Sequence, residues 1–264
     1  MASIHVNDRD DWVRRFHSAP DARTRLVCFP HAGGSANYFF PVSRALAPTM
    51  DVLCLQYPGR QDRRREKCVE TIDEMADKIV LALRPWADRP LAFFGHSMGA
   101  ILAFEVAVRL KDEGITPAAV FVSGRRAPSR HRVETVHRLP DSELVREIRG
   151  LQGTESALLD DADIVGMILP ALRSDYRAVE TYRPADAGTV DSPLIALLGD
   201  EDAMVTLAEA QAWENHTTNE FELRVYSGGH FYLNAHAADV IALIEHRMTT
   251  ALATGSRSAV GAEH

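Results

Sequence analysis

The stretch AFFGHSMGA, residues 92–100, sets Ser97 inside a G-x-S-x-G, Gly95-His96-Ser97-Met98-Gly99. An apolar run from Leu91 to Phe94 precedes it, and a longer one from Ala100 to Leu110 follows. The first has the length of a buried strand and the second the length of a helix. A serine on so tight a turn is a nucleophile elbow: bulky neighbours would collide, and the hydroxyl is lifted over a helix N-terminus. The pentapeptide alone recurs by chance, and its place between a strand and a helix is what makes it informative.

Outward from the elbow the same alternation continues. RLVCF (25–29), DVLCLQ (51–56), AAVFVS (118–123), PLIALLG (193–199) and FELRVY (221–226) read as strands. ANYFFPVSRALA (36–47) reads as a helix, as does TIDEMADKIVLAL (71–83), with Ile72, Met75, Ile79, Val80 and Leu83 at helical spacing. A last helix is expected from about Ala235 to Met248. Strands alternating with helices predict an α/β fold, with a mostly parallel central sheet covered on both faces.

Residues 125–188 break this rhythm. They hold no strand-like run, but DSELVREIRGL (141–151) is a helical pattern with Asp141 as its expected N-cap. In DADIVGMILPALRSDYRAVETY (161–182), Ile164, Ile168, Leu172 and Val179 share a face, and Pro170 predicts a kink. A helical insertion between two strands resembles a lid. The expected organisation is one domain over 1–250 with a lid insertion at about 125–188. The small, polar residues 251–264 are expected to form a disordered tail.

Composition narrows the function classes. The chain has 264 residues, 46% of them hydrophobic, enough to bury a large core. With 29 Lys and Arg against 37 Asp and Glu, the net charge is −8, which disfavours nucleic acid as a partner. No run of eighteen apolar residues predicts a membrane span. MASIHVNDRDDWVRRF at the N-terminus lacks the apolar core of a signal peptide. Cys28 and Cys54 lie in strand-like runs and Cys68 in a charged loop, so no disulfide framework is expected and a cytoplasmic location follows. No H-E-x-x-H or close His/carboxylate cluster points to a metal.

A serine hydroxyl is a poor nucleophile until a base takes its proton. Of eleven histidines, His230 follows FELRVY and the turn SGG, at a strand's C-terminal end where catalytic groups of such sheets collect. His236 falls on the next helix, while His96 and His31 are near the site but badly placed to abstract the proton. The acid should precede the histidine in the chain, and LLGDEDAMV (197–205) offers Asp200, Glu201 and Asp202. Asp202 is favoured because the loop must turn before presenting a carboxylate. Asp200 is the alternative and suits a local backbone bond better. Oxyanion donors are expected from the backbone N–H of Met98 and, in the glycine-rich FPHAGGS loop, of Ala32.

LVCFPHAGGSA (26–36), QYPGRQDR (56–63), FFGHSMGAILAFEVA (93–107), LLGDEDAMV (197–205) and SGGHFYL (227–233) together resemble the type II thioesterases of polyketide and non-ribosomal peptide synthesis. The resemblance runs in order from Trp12 to Met248. It implies an α/β-hydrolase with a helical lid and a triad of Ser97, Asp202 and His230. It also implies oxyanion amides at Ala32 and Met98, and no cofactor of the enzyme's own. The implied substrates are acyl or peptidyl thioesters on the phosphopantetheine arm of a carrier protein, hydrolysed to clear stalled or wrongly primed arms. Ala203 departs from the proline that relatives often carry after the acid.

Two basic runs, RQDRRREK (60–67) and RRAPSRHR (125–132), follow strands at the edge that carries Ser97. They suggest a positive rim for an acidic carrier, with Arg60, Arg125, Arg126 and Arg130 as its candidates. Met167, Ile168, Leu172 and Tyr176 are the candidate lining of an acyl chamber under the lid. A monomer is the default expectation. The competing readings are a general carboxylesterase or lipase with the same triad, and a non-catalytic binding protein on this fold.

Overall fold

Five strands are buried at every position, as near-continuous apolar runs in a parallel sheet must be. They are β2 (Arg25–Phe29), β3 (Asp51–Leu55), β4 (Leu91–His96), β5 (Ala119–Ser123) and β6 (Leu194–Gly199). The partly exposed β7 (Phe221–Tyr226) closes one edge, and the two-residue β1 (Val13–Arg14) closes the other. The computed structural model describes residues 10–151, 161–184, 186 and 188–260. Most of the stretch read for a signal peptide (1–9), part of the expected lid (152–160, 185 and 187) and the end of the expected tail (261–264) lie outside the described residues.

The strand order is β1-β3-β2-β4-β5-β6-β7, with only β1 antiparallel to its neighbour. This is the mostly parallel sheet that the alternation predicted, and it fits the α/β-hydrolase fold that the resemblance implies. Side chains alternate across the sheet. Val27 and Phe29 of β2 pack with helices α2 (Ile72–Leu83) and α3 (Met98–Asp112). Leu26 and Cys28 pack instead with Leu46 of α1 (Phe40–Leu46) and with Val240, Leu243 and Ile244 of α7 (Ala237–Val260), the helix that follows the short α6 (Leu207–Gln211). Period-two alternation thus feeds two separate cores from one strand.

Three features differ from expectation. β1 was not predicted, because two residues carry no period. Asp141 is not a cap: α4 (Asp141–Gly150) is preceded by Pro140 at the N-cap, and the Asp141 carboxylate accepts from Arg173 Nη2 at 2.6 Å instead. The expected disordered tail is helical as far as Val260, since α7 continues past Met248, each added residue closing a further hydrogen bond once a helix is nucleated. Between β5 and β6 stand α4 and α5 (Ala162–Thr181), the latter capped by Asp161, whose carboxylate accepts from the amides of Asp163 and Ile164.

The elbow's glycines are explained by close approach. A Cβ on Gly95 would lie 2.0 Å from the Gly99 carbonyl oxygen, and one on Gly99 would lie 2.0 Å from that of Phe29. Helix α3 therefore begins pressed against the end of β2. Gly99→Ala must push backbone from backbone, and we expect a loss of about 4 kcal/mol or more. A chemical melt of the variant checks this, and a midpoint like that of the wild type would contradict it.

Candidate active site

β2 and β4 are neighbours, yet the chain leaves β2 for β3 on one side and β4 for β5 on the other. The loops after β2 and β4 consequently diverge at the strands' C-terminal ends and leave a crevice, the usual binding place in such sheets. Ser97 stands at the end of β4 with φ +55° and ψ −116°, a left-handed conformation that is costly for a non-glycine residue. Its amide donates to the Ser123 carbonyl at 2.8 Å, which ties the elbow to β5.

His230 and Asp202 come from the loops after β7 and β6. The His230 ring has Nδ1 2.9 Å from Asp202 Oδ2, and both side chains are buried. Asp202 Oδ1 is also occupied, accepting from the Met204 amide at 2.8 Å. The two loops are pressed together at glycines: a Cβ on Gly199 would lie 2.3 Å from the Gly228 oxygen. Asp200 has a different task. Its exposed carboxylate accepts from the Gly228 amide at 2.8 Å, so it pins the histidine loop to the end of β6 and does not face His230.

The imidazoles of His96 and His230 are 4.9 Å apart, which brings His230 beside the elbow. Among the described residues no hydrogen bond joins Ser97 Oγ to His230. In unliganded sites such bonds are commonly long and tighten only with substrate. His96 Nδ1 lies 2.9 Å from Ser123 Oγ, which in turn lies 2.7 Å from the Tyr232 hydroxyl. This chain braces the wall behind His230 and was not foreseen; the pairing of a strand-end serine with a tyrosine 109 positions away leaves no local signal.

Burial, and next the nearby His230, holds the pKa of His31 down at about 3, and burial likewise lowers that of His96. Both rings are neutral at neutral pH and pack beside the elbow and His230. The unfolded chain binds these protons near the ordinary histidine pKa and the folded one does not. Stability should therefore be full above about pH 6.5 and fall as pH drops below it, by up to about 1.4 kcal/mol per pH unit for each proton. His31→Phe should flatten the decline in midpoint between pH 6 and pH 4. An unaltered slope in urea melts would contradict that assignment.

Ala32 lies in the turn closed by the Gly34 amide and the His31 carbonyl, 2.9 Å apart. Among the described residues, neither the Ala32 nor the Met98 amide donates to another group, which leaves both available to a ligand. Met98 is the first residue of α3, where N–H groups have no partner within the helix. Each N–H is therefore left to donate to a ligand.

The structure corrects most of the predicted rim. Arg60 is buried and bonded in both directions to Asp175. Arg126 is buried against Glu134, and Arg125 is buried with its Nε unpaired. Burial, then the charge of Arg126, lowers the pKa of Arg125 to about 10. Only Arg130 of the four is exposed. The chamber candidates also divide. Leu172 is buried with Cδ1 against Gly33, and Ile168 and Tyr176 are half-buried, whereas Met167 is 59% exposed and does not line an interior. Its place in the apolar run misled, because it lies off the stripe that α5 turns inward.

Among the described residues, no cluster of three His, Cys, Asp or Glu side chains is placed to hold a metal, and no helix is long and apolar enough to cross a membrane. Residues 24–248 match the thioesterase domain family. The chain is 51% identical over 225 residues to the thioesterase PikA5 of Streptomyces venezuelae, covering 84% of this chain and 80% of that one. Its structure is similar to that of BorB, a type II thioesterase from the borrelidin biosynthetic cluster. There the TM-score is 0.86 and the identity 50%, over 90% of this chain and 98% of BorB. RedJ, a thioesterase from the prodiginine pathway of Streptomyces coelicolor, gives a TM-score of 0.82 at 35% identity, over 87% and 92% of the two chains. With an elbow serine, a carboxylate-bound histidine and a family match over residues 24–248, the chain belongs to the thioesterase family and is a serine-type thioester hydrolase of the α/β-hydrolase fold.

Proposed function

We propose that this enzyme hydrolyses acyl or peptidyl thioesters from the phosphopantetheine arm of carrier proteins, clearing stalled or wrongly primed arms in polyketide or non-ribosomal peptide synthesis. Ser97 Oγ attacks the thioester carbonyl while His230 takes its proton. Asp202 holds the imidazole and supports the charge it gains. The Ala32 and Met98 amides bind the oxyanion, and its collapse expels the arm's thiol and leaves an acyl-Ser97 ester. Water activated by His230 then releases the acid. The leaving thiol is a weak base, so His230 has little to do as an acid, and the burden falls on the nucleophile and the oxyanion amides. These steps draw on no cofactor of the enzyme's own.

The Asp202–His230 pair beside the elbow is the observation that carries this reading. The carrier as partner is supported by similarity to enzymes of biosynthetic clusters along nearly the whole chain. The insertion bearing α4 and α5 serves as the lid, with Ile168, Leu172 and Tyr176 toward the acyl group. Arg130 is the remaining member of the predicted rim for a carrier contact. The enzyme works as a soluble cytoplasmic monomer.

The test compares an acyl-loaded carrier protein, the matching acyl-coenzyme A and a small ester as substrates, followed by mass spectrometry. The carrier should be deacylated with the highest kcat/KM. Preference for the small ester would return the protein to the general esterases.

A further inference from the structure

We propose that Arg60 and Asp175 are a positioning pair through which helix α5 sets the oxyanion loop. The proposal rests on the reading of Ala32 as an oxyanion donor. Arg60 follows β3 and Asp175 lies on α5, 115 positions away, yet their side chains meet in a two-pronged pair: Nη1 to Oδ2 at 2.7 Å and Nη2 to Oδ1 at 2.8 Å. Their side chains are 6% and 0% exposed.

Apart from two long bonds from Arg60 to the nearby Pro58 carbonyl, both 3.4 Å, the bonds that leave this pair go to one loop. Asp175 Oδ2 accepts from the Gly33 amide at 2.8 Å, and Arg60 Nη1 donates to the Gly34 carbonyl at 3.1 Å. The Arg60 guanidinium also lies 5.1 Å from the centre of the Tyr57 ring, and the Tyr57 hydroxyl donates to the Pro30 carbonyl at 3.3 Å. The loop is thereby gripped on both sides of Ala32, whose own N–H donates to no group among the described residues. Leu172, one turn before Asp175 on α5, adds a steric stop: a Cβ on Gly33 would lie 2.5 Å from its Cδ1. Positions i and i+3 of one helix face thus converge on a single glycine.

Stability alone is a poor reason for such a pair. Two buried charges recover their desolvation cost only with near-ideal geometry, and apolar residues of similar size commonly do as well. What the fork supplies is direction, because a planar guanidinium fixes a carboxylate in two places at once. An oxyanion donor is useful only where it meets the developing charge, and a displacement of about 1 Å can cost about 10²-fold in rate.

The test uses Arg60→Met/Asp175→Leu, which strands neither charge, and Arg60→Lys, which keeps the charge and loses the fork. Thermal melts, kcat and KM on acyl-carrier protein, and amide exchange across residues 31–35 and 91–96 are measured for each. We expect folded proteins with kcat down about 10²-fold, KM within about threefold, faster exchange at 31–35, and unchanged exchange in β4. If the double variant does not fold, Arg60→Lys decides by the same readouts. Unchanged exchange at 31–35 in a folded variant overturns the positioning, whatever the activity. Faster exchange there with wild-type kcat overturns instead the reading of Ala32, and with it the pair's catalytic meaning.

Discussion

Ser97→Ala is expected to lower kcat on an acyl-carrier substrate by about 10⁶-fold, as much as removing the whole triad, while KM changes little. The alanine removes the only atom that bonds covalently to the acyl group. His230 and Asp202 then have no proton to take, so their catalytic value disappears with the serine's. The residue of catalysis, about 10³-fold over water, would come from the two amides and from binding. The fold should be untouched, because the strained φ of +55° is imposed by Gly95 and Gly99 packing on their neighbours and not by the hydroxyl. Burst and steady-state kinetics on one protein preparation check both statements. Near wild-type turnover would refute the nucleophile.

Asp202→Asn should cost about 10⁴-fold in kcat, and Asp200→Asn no more than a few-fold. Asp202 uses both oxygens at once, one for the Met204 amide and one for His230 Nδ1. Asparagine has one oxygen. If it serves Met204, its NH2 faces the imidazole and forces the proton onto Nε2, so the ring arrives at Ser97 as a donor and not as a base. If it serves His230, the Met204 amide is stranded. Among the described residues the exposed Asp200 carboxylate accepts only from the Gly228 amide, and the asparagine oxygen can keep that bond. Comparable losses in the two variants would contradict the assignment of Asp202 as the acid.

The site was legible where chemistry is coupled to local backbone. The elbow shows in sequence because its steric demand falls within five residues, and His230 and Asp202 show because each stands in the loop that follows a strand. The arginines were misread for the converse reason. A basic run displays its charges, but the acids that neutralise Arg60 and Arg126 are set by tertiary structure, as Asp175 at 115 positions from Arg60 makes plain. A signal for Asp175 did exist. It sits three residues after Leu172 and four before Val179, on the same buried stripe of α5, and a carboxylate on a buried stripe requires a cation. Met167 and the tail failed on weaker grounds: apolar character without position on the stripe, and small residues that helix α7 absorbs. The two residues of β1 could not be read at all.

The most direct measurement follows the acyl group itself. Acyl-loaded carrier protein is mixed with the enzyme, quenched at short times, and both proteins are weighed intact, with Ser97→Ala alongside. The acyl mass should leave the carrier and appear transiently on the enzyme, within the peptide that contains Ser97, and do neither with the variant. A carrier that keeps its acyl group, or loses it equally to Ser97→Ala, would contradict a serine thioesterase acting on carrier-bound chains.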